Sequence, residues 1–181
     1  MARPQIIEVQ GLANVTNQYR WNFNITGMPA GVDADARDIN LRAESVTVPK
    51  MQSTSIEINI RGHKIKQPGL WTYDNMITLT LIEGVNTKAN RMIKSWRDMC
   101  WRPGVGTQRS KADVSAIIMM EMLDNMDIAI WRYTLYGCFL ESYEVGGQFD
   151  PQSADPYKPT LQISYDWFED GAIAGFSGLG V

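Results

Sequence analysis

The chain has 181 residues, 44% hydrophobic and 20% charged, enough to bury one sizeable core but short for two domains. Its 17 Lys and Arg stand against 20 Asp and Glu, a net charge of -3, so the basic footprint of a protein that grips nucleic acid is missing. Met1-Ala2-Arg3-Pro4-Gln5 opens no apolar run of signal-peptide length, and no later stretch approaches a membrane span, which predicts a chain that stays in the cytoplasm where it is made and touches no membrane. Taken in order, the first element is a strand: Tyr19, Trp21, Phe23 and Ile25 alternate with Arg20, Asn22, Asn24 and Thr26 until Gly27-Met28-Pro29-Ala30-Gly31 ends it. A polar loop with Asp33, Asp35 and Asp38 leads to a second strand, Leu41 to Val48, stopped by Pro49, which cannot donate to a ladder. Ile56, Ile58 and Ile60 alternate with Ser55, Glu57, Asn59 and Arg61 before the break at Gly62-His63, so Thr54 to Gly69 reads as strand, turn and an exposed returning arm.

Met76 to Ile82 is the next strand, closed by Glu83-Gly84. The one good helix spans Asn86 to Trp101, because Ala89, Ile93, Trp96 and Cys100 fall on a single face; Asn86 or Thr87 can cap its start and Arg102-Pro103-Gly104 ends it. Gly104 to Asp113, with Arg109 and Lys111, reads as a mobile loop. Val114 to Leu123 and Ile128 to Leu135 form a hairpin around the turn Asp124-Asn125-Met126-Asp127. Val114, Ala116, Ile118, Met120 and Met122 take one face of its first strand, yet Ile117, Met119 and Leu123 make the other face apolar too, so that strand is either internal or covered by a neighbouring subunit. Gly146-Gly147 and Asp150 to Pro159 form a long connection to the final strand, Thr160 to Phe168, and Gly171 to Val181, with four glycines in eleven positions, reads as a flexible tail. Seven or eight strands plus one short helix predict a mainly β, antiparallel sandwich or barrel with the helix covering an open end and one long extended hairpin. The division is one domain over 1–169 and a Gly-rich tail over 170–181.

No constellation points to catalysis, a cofactor or a metal. His63 is the sole histidine and sits at a hairpin turn with no second imidazole or nearby cysteine. Asp166, Glu169 and Asp170 read as a solvated strand end. Gly104-Val105-Gly106 lacks the third glycine and the preceding strand of a dinucleotide loop. Cys100 and Cys138 read as reduced, packed thiols, and the Asn14-Val15-Thr16 and Asn24-Ile25-Thr26 acceptor patterns as chance matches. Trp96, Trp101, Trp131 and Trp167 carry no interleaved basic residues, so core or subunit contacts are expected of them rather than base stacking.

The order of these segments resembles the tail tube proteins of contractile-tailed bacteriophages, relatives of type VI secretion and pyocin tubes. Ala43 to Val48-Pro49, Ile56 to Gly62 and Trp71-Thr72-Tyr73-Asp74 are similar to the opening half of that family. The helix with Trp96, the Gly137 segment and Tyr165-Asp166-Trp167-Phe168 are similar to the closing half, for a span of roughly 17–169. Two departures stand out: Leu140 replaces a proline of the family, and the chain continues from Gly171 past the point where many relatives end.

The resemblance implies a self-assembling virion protein made in the host cytoplasm: six-fold rings stacked into a tube whose lumen is a closed multi-subunit β-barrel. The implied partners are further copies of the chain, the tail sheath, the baseplate hub, the tail terminator and the tape measure protein, with DNA passing through unbound. The alternative is a type VI or contractile-injection ring that passes protein effectors; an enzyme has no positive support. A conduit for DNA needs a wall that repels phosphate. Candidate lumen residues are therefore Glu44, Glu57 and Glu121 on strands, with Asp124 and Asp127 at the hairpin tip. Candidate ring-to-ring contacts are His63, Lys64, Ile65 and Lys66 at a basic arm tip.

Overall fold

Period-two sequence becomes strand almost wherever it occurs. The computed structural model describes residues 15–147 and 150–173. Its strands are β1 (Trp21–Thr26), β2 (Ala43–Val46), β3 (Met51–Ile60), β4 (His63–Tyr73), β5 (Met76–Leu81), β6 (Trp101–Arg102), β7 (Thr107–Gln108), β8 (Ala116–Leu123), β9 (Ala129–Glu144), β10 (Thr160–Ser164) and β11 (Trp167–Ala172). Three helices interrupt them: α1 (Ala36–Arg42), α2 (Lys88–Cys100) and the single turn α3 (Lys111–Val114). Among the described residues, no helix is long and apolar enough to cross a membrane.

Seven strands pair antiparallel in the order β1-β8-β9-β10-β5-β2, with β11 also beside β9. Strand β9 serves two layers. Its first half, Trp131 to Tyr136, pairs with β8 and β11, and its second half, Phe139 to Glu144, pairs with β10. The change of layer falls at Gly137, whose φ of +67° is left-handed and whose Cβ, if present, would collide with the Asp166 carboxylate. Glycine is favoured there, since any other residue would be strained and would push the Asp166 side chain aside. Alternate residues of both layers then face one core: Phe23, Ile25, Ile77, Leu79, Leu81, Ile118, Leu135, Leu161 and Ile163 are all buried. Each such side chain contributes about 1.5–3 kcal/mol on leaving water.

Helix α2 seals this core with Ala89, Met92, Ile93 and Trp96. Trp96 is fully buried, and its indole Nε1 donates to the Val114 carbonyl at 3.1 Å. The helix begins at Lys88, and neither Asn86 nor Thr87 caps it: Thr87 is left-handed (φ 53°) and makes no side-chain cap bond. The Glu83 carboxylate does this instead, accepting from the amides of Ala89 (3.3 Å) and Asn90 (2.7 Å). A carboxylate suits the partial positive charge of a helix start.

The sequence reading missed α1. Leu41 and Arg42 end this helix, so the strand expected over Leu41 to Val48 contracts to Ala43–Val46. Asp35 caps α1 by accepting from the Arg37 amide at 3.0 Å, Arg42 bonds Asp38 one turn back at 2.8 Å, and Ile39 anchors the helix in the core. Val114 belongs to α3, so β8 starts two residues later than expected; the presumed loop Gly104 to Asp113 contains β7 and the start of α3, and β7 pairs with β6, which takes Trp101 from the expected helix end. The final strand divides at Tyr165-Asp166 into β10 and β11 and continues to Ala172, so Gly171 is strand rather than tail. The rest of the expected tail, 174–181, lies outside the described residues, as do the opening 1–14.

Candidate functional site

Strands β3 and β4 form the projecting arm. Arg61 (φ 50°) and Gly62 (φ 84°) occupy its two-residue turn, both left-handed as a tight hairpin twisted to match its strands requires. His63 is thus the first residue of β4 rather than part of the break. Pairing puts Ile58 opposite Ile65, Ile60 opposite His63 and Ile56 opposite Gln67, so the isoleucines share one face. Ile56, Ile60 and Ile65 are each half exposed or more among the described residues. On the other face Glu57 binds Lys64 at 2.6 Å and Lys66 at 3.6 Å. The basic tip expected from His63-Lys64-Ile65-Lys66 is therefore split: His63 and Ile65 join the apolar face, and both lysines share the single carboxylate of Glu57, which leaves one unit of positive charge. At the arm's base Met51, Leu70 and Trp71 are also exposed.

The second exposed feature is the outward face of the layer β1-β8-β9-β11. Cross-strand register aligns Asn22 with Glu121, Asn24 with Met119 and Thr26 with Ile117. It then aligns Glu121 with Arg132, Met119 with Thr134, Glu169 with Thr134 and Trp167 with Tyr136. The alternate residues Phe23, Ile25, Ile118, Met120 and Leu135 point inward, so only part of the expected two-sided apolar character of β8 survives outside, at Ile117 and Met119. Tyr136 stacks on Trp167 at 4.4 Å, and its hydroxyl donates to Glu169 at 3.1 Å, which raises its pKa. Glu169 escaped the sequence reading as a candidate for this face; its period-two spacing from Trp167 was the available signal. Strands β1 and β11 flank the layer, each paired on one side only among the described residues.

The five acidic candidates are not one cluster. Glu121, Asp124 and Asp127 share the β8–β9 hairpin, Glu44 lies with Glu121 on a groove of about 820 Å³ between the edges β1 and β2, and Glu57 stands apart on the arm. Nearly all are paired. Arg132 bonds Glu121 at 2.6 Å, Arg20 bonds Asp127 at 2.6 Å, and Lys158 bonds Glu44 at 2.5 Å. Asp124 spends one oxygen on the amides of Met126 (2.7 Å) and Ile128 (2.9 Å), shaping the turn. Asp166 pairs with Lys111, which also lies over the Phe139 ring.

Cys100 and Cys138 are both free thiols; burial raises the first and pushes the second up to about 12, so neither is a thiolate at neutral pH. Trp96 is core, Trp131 is half-buried, and Trp101 and Trp167 are exposed. Among the described residues no group of three His, Cys, Asp or Glu could hold a metal ion.

No family model matches the sequence, and no curated protein is similar enough in sequence to count as a relative. Solved structures do match. The tube-terminating cap of the anti-feeding prophage superposes with a TM-score of 0.64 at 14% identity, over 90% of this chain and 95% of the cap. The sheath/tube terminator of the extracellular contractile injection system PVC, in its extended state, gives 0.62 at 16% identity, over 90% of this chain and all of that one. A chain of the PVC sheath–tube complex gives 0.59 at 16%, over 88% and 93%. The fold is that of contractile-injection tube proteins. In each case the match spans about nine-tenths of both chains or more.

Proposed function

We propose that the chain is the repeating subunit of the inner tube of a contractile bacteriophage tail, a structural protein and not an enzyme. Copies join laterally into six-fold rings, rings stack, and DNA passes down the lumen. The sheath surrounds the tube, the baseplate hub and tail terminator close its ends, and the tape measure protein lies inside it. One observation supports this reading: a four-stranded face of mixed polar and apolar residues whose two edge strands are each paired on one side only among the described residues, beside an arm that no other described residue covers. Free edges invite pairing with another chain, and a closed ring is a arrangement that removes them. Strand β1 of one copy then meets β11 of the next, and the isoleucine face of the arm is covered by the adjacent ring. The outward face of β1-β8-β9-β11 becomes the lumen wall, with Glu121 and Glu169 as its carboxylates and Arg132 its cation.

A second reading, an injection-system tube that passes protein, is favoured by the ion pairs at Glu44, Glu57, Glu121 and Asp127. Paired acids repel phosphate less than their number suggests. The two readings part on one experiment: particles whose tubes carry Glu121→Lys and Glu169→Lys gain four units of positive charge per subunit. For a DNA conduit, tails assemble while DNA release slows, most at low salt where screening is weakest. Unaltered release at low salt removes the DNA reading.

A further inference from the structure

Three chain segments meet at the root of the arm. Strand β4 gives way to β5 at Asp74-Asn75, β10 to β11 at Tyr165-Asp166, and β9 changes layer at Gly137. Tyr165 is 1% exposed, and its hydroxyl donates to the Asp74 carboxylate. Burial, and then that carboxylate, raise the Tyr165 pKa, so the phenol stays a donor. Its ring stands edge-on to Phe168, which stands edge-on to Tyr73 of the arm. Asn75, held left-handed at φ 59°, donates through Nδ2 to the carbonyls of Tyr165 (2.9 Å) and Asp166 (3.2 Å), and the Tyr165 amide returns a bond to the Asn75 carbonyl at 3.0 Å. From the other side the Asp166 amide donates to the Tyr136 carbonyl at 3.0 Å, and Lys111 binds its carboxylate.

The arm is thus bonded directly to the two residues through which β10 becomes β11. Any rotation of the arm about its root displaces Asp74 and Asn75. Through four hydrogen bonds this shifts the first residues of β11, a strand that pairs only with β9 among the described residues. Besides its ladder bonds to β9, β11 also touches the arm through the edge-on contact of Phe168 with Tyr73, on the same side as the joint. Two surfaces that bind different neighbours in the tube reading therefore share one joint.

We propose that Asp74, Asn75 and Tyr165 are positioning residues that tie the direction of the arm to the placement of edge strand β11, so that seating the arm on a second copy stiffens β11 for contact with a third. This rests on the tube reading above. Ring stacking and lateral closure are then coupled rather than independent, and a lone ring is looser at β11 than a ring within a stack.

The test uses full-length chains. Tyr165→Phe keeps the ring and removes only the hydroxyl; Asn75→Gly keeps the left-handed backbone and removes only the amide; Asp74→Asn keeps an acceptor oxygen and serves as the conservative control. Melting temperature, the fraction of protein in tubes by sedimentation and electron microscopy, and amide exchange of 167–172 in rings and in tubes are measured for each. In wild type, exchange across 167–172 slows on stacking. Tyr165→Phe, which removes one hydrogen bond per subunit, and Asn75→Gly, which removes two, are expected to fold, to lower the tube fraction about ten-fold or more, and to lose that stacking-dependent slowing, while Asp74→Asn stays close to wild type. Wild-type tube yield or wild-type slowing in both variants overturns the proposal. So does unfolding of both, which makes the joint a stability feature only. Wild-type protein that forms neither rings nor tubes refutes the tube reading itself.

Discussion

Replacing Trp96 with alanine tests the account of the core. Trp96 is fully buried beneath α2, and its Nε1 is bonded to the Val114 carbonyl. Truncating a buried indole costs about 3–5 kcal/mol through lost transfer energy and the cavity left behind. The orphaned carbonyl adds a further penalty of about 1 kcal/mol or more unless water reaches it. Against a total stability of about 5–15 kcal/mol this is a large share. At about 2–4 °C per kcal/mol for a chain of this length, the melting temperature falls by roughly 8–24 °C with the carbonyl penalty included. Trp96→Phe separates the two contributions, because it keeps most of the volume and loses the N–H, and its cost is about 1–2 kcal/mol. Urea unfolding followed by circular dichroism is the suitable assay, since five other indoles confuse fluorescence. A Trp96→Ala chain within about 1 kcal/mol of wild type would show that α2 does not seal the core.

Glu83→Ala, which strips the amides of Ala89 and Asn90 of their acceptor, should cost about 1–2 kcal/mol in the same assay, while Thr87→Ala, which removes no cap bond, should stay within about 0.5 kcal/mol. Deleting 62–67 removes the arm's tip without touching the core and should leave folded subunits and single rings but no tubes; tubes of normal length in electron micrographs would reject the stacking role of the arm. The hydrogen bond from Arg42, aided by its charge and that of Lys88, holds the Asp38 carboxyl below the usual carboxylate range. A depressed carboxyl adds stability above its unfolded pKa of about 3.9 that is lost as pH falls through the lower folded value. Asp38→Asn should therefore melt below wild type at pH 7, with the gap closing as pH drops below about 4, and a gap that is independent of pH would contradict the pairing.

The strands legible in the sequence were those whose alternation reports burial of one face, as in β1, or sets one apolar face of the arm, as in β3. Helix α2 was legible because Ala89, Ile93 and Trp96 repeat at helical spacing over three turns. Helix α1 was not, because it buries only Ile39 and is held by Asp35 and Asp38, which read as an ordinary polar loop, and by Arg42, which reads as part of the following strand. The Glu83 cap was hidden for a related reason: it reaches the helix from the preceding strand end, outside the positions where a local cap is sought. Strand ends and layer changes depend on neighbours. Nothing near Tyr165 in sequence announces that β10 must turn there, since Gly137 and Asn75 impose it from remote parts of the chain. The acidic candidates show the sharpest limit. Glu121 is visible as a strand carboxylate, but its neutralisation follows from register with Arg132 eleven residues on, and that of Glu44 from Lys158 across the fold. Residue counts gave the charge of the chain; pairing decided where it is felt.

The central claim is that the outward face of β1-β8-β9-β11 lines the bore of a stacked ring. Cryo-electron microscopy of the purified chain tests it directly. The account predicts rings or tubes with an axial hole, Asn22, Thr134 and Glu169 facing that hole, β1 of each copy beside β11 of the next, and the arm inserted against the adjacent ring. Particles that remain monomeric at high concentration, or an assembly with this face turned to the outside, would contradict it.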